Sequence, residues 1–339
     1  MLAMAAARRG AMKTIRWGMI GCGSVAEVKS GPGFYKARHS ALVAVASRHP
    51  EATRSFAARH GIAKAYDTVA ELLADRDIDA VYIATPPASH QALCLLAAEA
   101  GKHVYVEKPM ALRVAECRAI VAACEKSGVR LFVAFYRRAM PRFLQVKKWL
   151  DSGAIGELRC VRVLQHQPPA AEELSRATLP WRVIPEASGG GKFLDMSVHM
   201  FDIFDFWFGP IEEVYGIASN RGGLYDAEDT VTATWRHAIG VQGCGSWSYV
   251  CGSDEDRIEI VGSRGQIEFS FFGDKALKLI TERGVQEAEF PNPEHLQQPF
   301  IQSIVDDLNG LAPCPGSVES AVRTTRVADQ VLGKFRKEN

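Results

Sequence analysis

Hydrophobic residues along the first 135 positions come in short continuous runs separated by amphipathic stretches. Ile15–Ile20 is apolar and leads into Gly21-Cys22-Gly23, and a second run covers 42–46. Further runs at 80–84, 104–106 and 131–135 read as buried strands. Stretches at 51–60, 69–73, 91–99 and 114–125 carry the helical period. Strands that are apolar on both faces and alternate with helices predict a parallel sheet covered on both sides. Segment 29–40, with Gly31-Pro32-Gly33 inside it, reads as a loop that delays the second strand.

After Asp151-Ser152-Gly153 the period changes. Runs at 158–165, 214–220, 230–235, 241–249, 257–261 and 266–271 alternate apolar with polar and are separated by Gly-rich or acidic turns, which predicts an antiparallel or mixed sheet. One almost wholly apolar helix, Lys192–Phe208, interrupts them, and helical patterns return at 295–308 and 318–335. The expected fold is therefore α/β. A doubly wound, Rossmann-type parallel sheet occupies residues 13–136. An α+β domain over 137–339, with a large mostly antiparallel or mixed sheet, would bind substrate and mediate oligomerisation, its last helices packing back on the first domain.

Composition narrows the class. The chain of 339 residues has 40 Lys plus Arg against 39 Asp plus Glu, a formal charge of +1, so no basic field points to nucleic acid. No apolar run reaches the roughly 20 residues of a membrane span. Eight cysteines (22, 94, 117, 124, 160, 244, 251 and 314) form no C-x-x-C pair, which fits free thiols in a reducing, cytoplasmic setting. The Ala/Arg-rich residues 1–12 have the composition of a short targeting piece, although a disordered tail or an upstream start is the plainer reading.

Candidate chemistry starts at Gly21-Cys22-Gly23-Ser24-Val25-Ala26, a G-x-G-x-x-A turn between a strand and a helix. The first glycine permits the turn, the second lets backbone approach a pyrophosphate, and the helix start offers N–H groups, here from Ser24 and Val25. At the end of the second strand, where an NAD binder usually carries an acid for the ribose, the chain has Ser47-Arg48. A hydroxyl and a guanidinium suit a 2′-phosphate, so NADP is the expected cofactor, with NAD the alternative. Thr85-Pro86-Pro87 and then His90 follow the strand at 80–84, at the edge where open α/β sheets bind ligands.

Lys108 closes the strand at 104–106, between Glu107 and Pro109; its bland alternative is a salt bridge to Glu107. In the apolar helix, Asp195, His199 and Asp202 are spaced i, i+4, i+7 and share one face. A carboxylate beside an imidazole would raise its pKa toward working pH, as a proton shuttle requires, or form a self-satisfied buried pair. The glycine run 189–191 would admit a close approach to the cofactor or act as a linker. Trp181, Trp235, Trp247 and Tyr249 are candidates for stacking on a sugar ring, although strand aromatics are more often core. The other histidines show no second ligand set at helical spacing, so no metal is expected.

Taken together, Gly21-Cys22-Gly23, Thr85-Pro86-Pro87, Glu107-Lys108-Pro109 and Gly189-Gly190-Gly191 followed by Asp195-x-x-x-His199-x-x-Asp202 resemble the Gfo/Idh/MocA oxidoreductases. The resemblance runs from about Thr14 to the last helix. It implies an active site between the two domains, with Lys108 and His199 in acid–base roles and Asp195 assisting. It implies that Trp181 and Arg182 line the cofactor, and that Tyr136 and Arg137 join Lys108, Asp195 and His199 at a sugar-like substrate. Ser47-Arg48 and Pro180-Trp181-Arg182 look closest to NADP-using members. Segment 29–40 and Pro87 depart from the common pattern. The expected activity is hydride transfer between nicotinamide and a sugar, polyol or related carbonyl compound, in a homodimer or homotetramer. Two other outcomes stay open: glycoside cleavage with the cofactor retained, and dinucleotide sensing without catalysis.

Overall fold

The computed structural model describes residues 12–338. The expectation placed on residues 1–12 therefore falls, apart from Met12, outside the described residues. Six strands form the first sheet: β1 (Ile15–Ile20), β2 (Ser40–Ala46), β3 (Lys64–Tyr66), β4 (Ala80–Ile83), β5 (His103–Val106) and β6 (Leu131–Val133). All are parallel, in the order β3-β2-β1-β4-β5-β6. The chain winds outward in both directions from the β1/β4 pair, so a crevice opens at the carboxyl ends there. Every side chain of β4 is buried, as strands covered on both faces require.

Segment 29–40 is not a loop. A wide π-type turn, Val25–Ser30, runs into an α-helix, Gly31–Lys36, and together they form the first crossover. Pro32 sits in the first helical turn, where its missing N–H costs nothing. Gly31 lies so close to the Ala26 carbonyl that a Cβ would collide with it. The residues that read as breakers are thus contact residues, and Phe34 beyond them is fully buried between Trp17 and Tyr82.

The second sheet has eight strands: β7 (Leu158–His166), β8 (Ile211–Ser219), β9 (Thr230–His237), β10 (Gln242–Ser248), β11 (Glu255–Gly262), β12 (Gly265–Phe269), β13 (Leu277–Thr281) and β14 (Gly284–Ala288). Their order is β14-β13-β12-β11-β7-β10-β9-β8. Only β7 and β10 pair in parallel, which makes the sheet mixed. Helix Lys192–Phe208 covers its inner face: Phe193 packs on Trp247 at 5.1 Å and Phe201 on Trp235 at 5.4 Å. Trp235, Trp247 and Tyr249 are thereby core residues and not sugar platforms. The outer face is bare, with Tyr215 72% and Ile217 75% exposed. β12 stops two residues before the expected end because the Asp256 carboxylate accepts the N–H groups of Phe271, Phe272 and Gly273.

Helices Gln298–Leu308 and Val318–Leu332 tie the halves together. Gly33 faces Ile301, and the Asp329 carboxylate accepts from Val114 N–H at 3.1 Å.

Candidate active site

Loops from the carboxyl ends of the first sheet meet the start of helix Lys192–Phe208. After β1, Gly21 has φ +106° and a Cβ there would lie 2.6 Å from the Ala84 carbonyl oxygen, so only glycine fits between β1 and β4. A Cβ on Gly23 would meet nothing. That open space, beside the exposed Ser24 and the half-buried Val25, is the cradle a pyrophosphate needs. After β2, Ser47 Oγ lies 2.7 Å from Thr53 Oγ1 and accepts from the His49 N–H, so it is tied into the turn that leads to the following helix. Arg48 is exposed and makes no ion pair or hydrogen bond among the described residues.

Thr85 and Pro86 are half-buried on the same edge. His90 is fully buried beneath them, its Nε2 2.8 Å from the Thr85 carbonyl and its Nδ1 3.0 Å from that of Pro109. Burial holds its pKa below the ordinary histidine value against the pull of those carbonyls. The expected cofactor contact is therefore a clasp: His90 pins the Thr-Pro loop to the Lys108–Pro109 turn, which contains a cis peptide.

Glu107 does not pair with the Lys108 ammonium. Its Oε1 accepts from Tyr82 Oη at 2.5 Å and from Gln297 Nε2 at 2.6 Å, and its Oε2 accepts from the Lys108 N–H. Lys108 Nζ instead donates to Asp195 Oδ1 and to the Asp195 carbonyl, each at 2.6 Å. Arg182 Nε stands 3.3 Å from the other oxygen of Asp195, and its guanidinium lies 4.6 Å above the Trp181 ring. Burial alone would raise the Asp195 carboxyl, but the charges of Lys108 and Arg182 hold it below its ordinary value.

His199 corrects the expected shuttle. Asp195 is committed to Lys108 and Arg182, and Asp202 forms a two-pronged pair with Arg138 at 2.7 and 2.8 Å, so neither carboxylate serves the imidazole. Burial, reinforced by the cations Lys108, Arg137 and Lys29, pushes the His199 pKa well below its usual value. The ring is neutral at working pH. Its Nδ1 is enclosed and, among the described residues, makes no hydrogen bond; Phe135 and Tyr136 stand edge-on to the ring, the latter at 5.3 Å. Tyr136 thus touches the cluster. Arg137 does not: its guanidinium is caged by Phe271 and Phe272, centroids 4.8 and 4.7 Å away, and donates to the Phe271 carbonyl.

Residues not singled out from the sequence hold this cluster in place. Gln297 joins Glu107 to Tyr105, whose hydroxyl donates to Gln297 Oε1 at 2.6 Å. A buried pair, Lys192–Glu173 at 2.7 Å, anchors loop 165–188 to the helix that bears Asp195. The glycine run serves Glu228: Gly191 N–H donates to Glu228 Oε1 at 2.8 Å, and a Cβ on Gly191 would strike the Glu228 backbone. Burial pushes the Glu228 carboxyl up to about 7. A raised carboxyl is stabilising while protonated in the fold, so that contribution is complete below its ordinary 4.5 and is lost as pH rises through about 7. Glu228→Gln keeps the acceptor for Gly191 and removes the charge. The variant is expected to gain up to about 3 kcal/mol over the wild type between pH 5 and pH 8 in urea unfolding. Parallel pH profiles for the two proteins would mean that the Glu228 carboxyl is not raised in the fold.

The comparisons with known proteins follow the same two sheets. Residues 15–135 match the oxidoreductase family with an NAD-binding Rossmann fold, and residues 143–268 match the GFO/IDH/MocA C-terminal domain. Oxidoreductase P35 of Formosa agariphila is 39% identical over 321 residues, covering 94% of this chain and 98% of the relative. The chain belongs to the Gfo/Idh/MocA oxidoreductase family. Inositol 2-dehydrogenase of Rhizobium meliloti is 33% identical over 267 residues, 75% of each chain. The solved levoglucosan dehydrogenase complex with NADH and levoglucosan superposes with a TM-score of 0.84 at 23% identity, covering 96% of this chain and 98% of that one, which establishes the shared fold. This family member is an NAD(P)-dependent oxidoreductase. Among the described residues no cluster of three or more His, Cys, Asp or Glu is arranged to hold a metal, and no helix is long and apolar enough to cross a membrane.

Proposed function

We propose that this protein is an NADP-preferring dehydrogenase or reductase that acts on a CH–OH group of a sugar or polyol. The observation that carries the reading is the Lys108–Asp195 contact at 2.6 Å, just past the carboxyl end of β5, the neighbour of β4, on the helix face that also bears His199. Relatives named inositol dehydrogenases support the substrate class.

Gly21, Gly23, Ser24 and Val25 would hold the pyrophosphate, Thr85, Pro86 and Trp181 the nicotinamide side, and Arg48 the 2′-phosphate. When bound, the nicotinamide supplies the hydride acceptor or donor. Lys108 exchanges the hydroxyl proton at Nζ, and Asp195 fixes the direction of that ammonium. His199 Nε2 and Tyr136 orient the reacting hydroxyl, and Arg182 keeps Asp195 ionised. The bare outer face of the second sheet, with Tyr215 and Ile217 exposed, supports a homodimer or homotetramer built on that face. Eight free thiols support a cytoplasmic setting.

The test is absorbance of reduced nicotinamide with NADP or NAD and a panel of sugars, polyols and their keto forms. Turnover with NADP is expected. Arg48→Ala is expected to weaken NADP binding about tenfold, the value of a charge-assisted contact, and NAD binding by less than threefold. Equal loss for both dinucleotides, or a wild-type preference for NAD, would overturn the NADP assignment.

A further inference from the structure

Gln297 occupies the N-cap of helix Gln298–Leu308, yet its side chain makes no capping bond to that helix. Serine, threonine, aspartate or asparagine would cap better, so the amide serves something else. It is buried, its Nε2 donating to Glu107 Oε1 at 2.6 Å and its Oε1 accepting from the Tyr105 hydroxyl at 2.6 Å. A carboxylate only accepts, which fixes the end of the amide that faces it. Glu107 is buried and forms no ion pair among the described residues; its donors are Tyr82, Gln297 and the Lys108 N–H. Stability alone does not call for such a group, because a buried acid without a cation costs more than an apolar side chain. Its one link to the site is the Lys108 main chain. Gln297 has a second hold: its N–H donates to the Lys29 carbonyl at 3.2 Å, in the turn Val25–Ser30 that runs on from the dinucleotide cradle. A residue 190 positions beyond Glu107 thus spans the two places where the reactants meet.

We propose that Gln297 is a positioning residue for hydride transfer: through Glu107 it fixes the main chain at Lys108, and through its own N–H it registers that lysine against the turn that follows the dinucleotide cradle. This rests on the reading of Lys108 as the proton carrier and adds a residue that touches neither reactant. Lys108 Nζ meets the Asp195 carboxylate and carbonyl at 2.6 Å each, and a displaced main chain would lose one of the two. A shift of about 1 Å in a reacting group costs up to roughly a hundredfold in rate.

The experiment compares the wild type with Gln297→Leu and Gln297→Glu, using NADP or NADPH and the panel of sugars, polyols and keto forms above. Gln297→Leu is expected to lower kcat about 10- to 50-fold, with KM and the dissociation constant for NADPH each within about threefold. Reductive methylation followed by peptide mass spectrometry reads the lysine without turnover. Lys108 is expected to be labelled at least about threefold faster in Gln297→Leu, and the exposed Lys126 and Lys148 at an unchanged rate. Gln297→Glu keeps the acceptor for Tyr105 and loses the donor to Glu107 until one of the two facing carboxyls is protonated. Its kcat relative to the wild type is expected to rise as pH falls from about 8 to about 5.5, and a flat ratio overturns the proposal. Unchanged labelling of Lys108 in Gln297→Leu overturns it too, as does a lowered melting temperature with kcat intact. Faster labelling of Lys108 in Gln297→Leu, when the wild type turns over none of the compounds, would uphold the tie between Gln297 and Lys108 and sink the redox reading. Wild-type turnover with kcat and Lys108 labelling untouched by Gln297→Leu would do the reverse.

Discussion

Lys108→Met is expected to lower kcat by about a thousandfold while leaving the dissociation constant for NADPH within threefold. A positioned acid–base group contributes roughly 10²–10⁴ in rate, about 3–5 kcal/mol of barrier. Lys108 is placed for that role. Its ammonium donates to two oxygens of Asp195 and is only 13% exposed, so its direction is fixed before substrate arrives. Methionine keeps the apolar stem and the volume and removes the proton carrier. Asp195 in the variant keeps Arg182 and some contact with solvent, so the fold is expected to survive. Stopped-flow single turnovers with saturating cofactor would separate the chemical step from release. A variant that retained a tenth of wild-type turnover would remove Lys108 from the chemistry.

Asp195→Asn tests the partner of that lysine differently. The amide preserves the shape but no longer holds an ammonium by charge, so kcat should fall with little change in KM. The same change in a residue that only built the fold would show in the melting temperature and not in the pH profile of kcat.

Much of this site was legible from the sequence for a physical reason. The G-x-G turn, the Thr-Pro turn and the Glu-Lys-Pro strand end each follow a short, wholly apolar strand. Such strands have few places to go other than the middle of a parallel sheet. The apolar helix Lys192–Phe208 was equally plain, because eleven large apolar residues leave Asp195, Ser197, His199, Asp202 and Asp205 as polar exceptions, among which Asp195, His199 and Asp202 carry the i, i+4, i+7 spacing. Spacing said that the three share a face, but it did not say what each one touches. The partners of Asp195 and Asp202, Lys108 after β5 and Arg138 in the short helical turn Tyr136–Ala139 after β6, lie more than 60 positions earlier. No local pattern shows that Asp202 is taken by an arginine and that His199 is left without a carboxylate.

Other elements were hidden by rules that point the wrong way. Gly31-Pro32-Gly33 has the composition of a breaker, yet it packs as helix because Pro32 is in the first turn and both glycines meet neighbouring chain. Helix Pro141–Asp151 carried a usable signal in its leading proline and in Phe143, Val146 and Trp149 at helical spacing. β13 and β14 are short and partly exposed, and their pairing through the Glu282-Arg283-Gly284 turn was the clue. The support residues Gln297, Glu173 and Glu228 had no signal, because a single polar residue in a loop looks the same whether it meets solvent or closes a buried network.

Asp202→Ala is expected to cost about 3–5 kcal/mol of stability and to lower the melting temperature by roughly 5–10 °C, while kcat measured at 20 °C stays within threefold. Asp202 and Arg138 are almost completely buried, with side chains 1% and 5% exposed, and are joined by two hydrogen bonds in a fork. Arg138 has a secondary contact to Asp205 at 3.7 Å, but Asp205 is already paired with Arg323 at 2.7 and 2.8 Å. Removing Asp202 thus strands a guanidinium in the core with half a partner. The large penalty comes from that stranded charge, and not from any net worth of the pair. The double variant Arg138→Met with Asp202→Leu should accordingly recover most of the loss. The same pair of measurements decides what the last acid of the D-x-x-x-H-x-x-D pattern is for. A normal melting temperature with collapsed kcat would place Asp202 in the proton pathway after all, through a rearrangement toward His199. A lowered melting temperature with intact kcat would make it the anchor that holds helix Lys192–Phe208, and with it Asp195, at the height of Lys108.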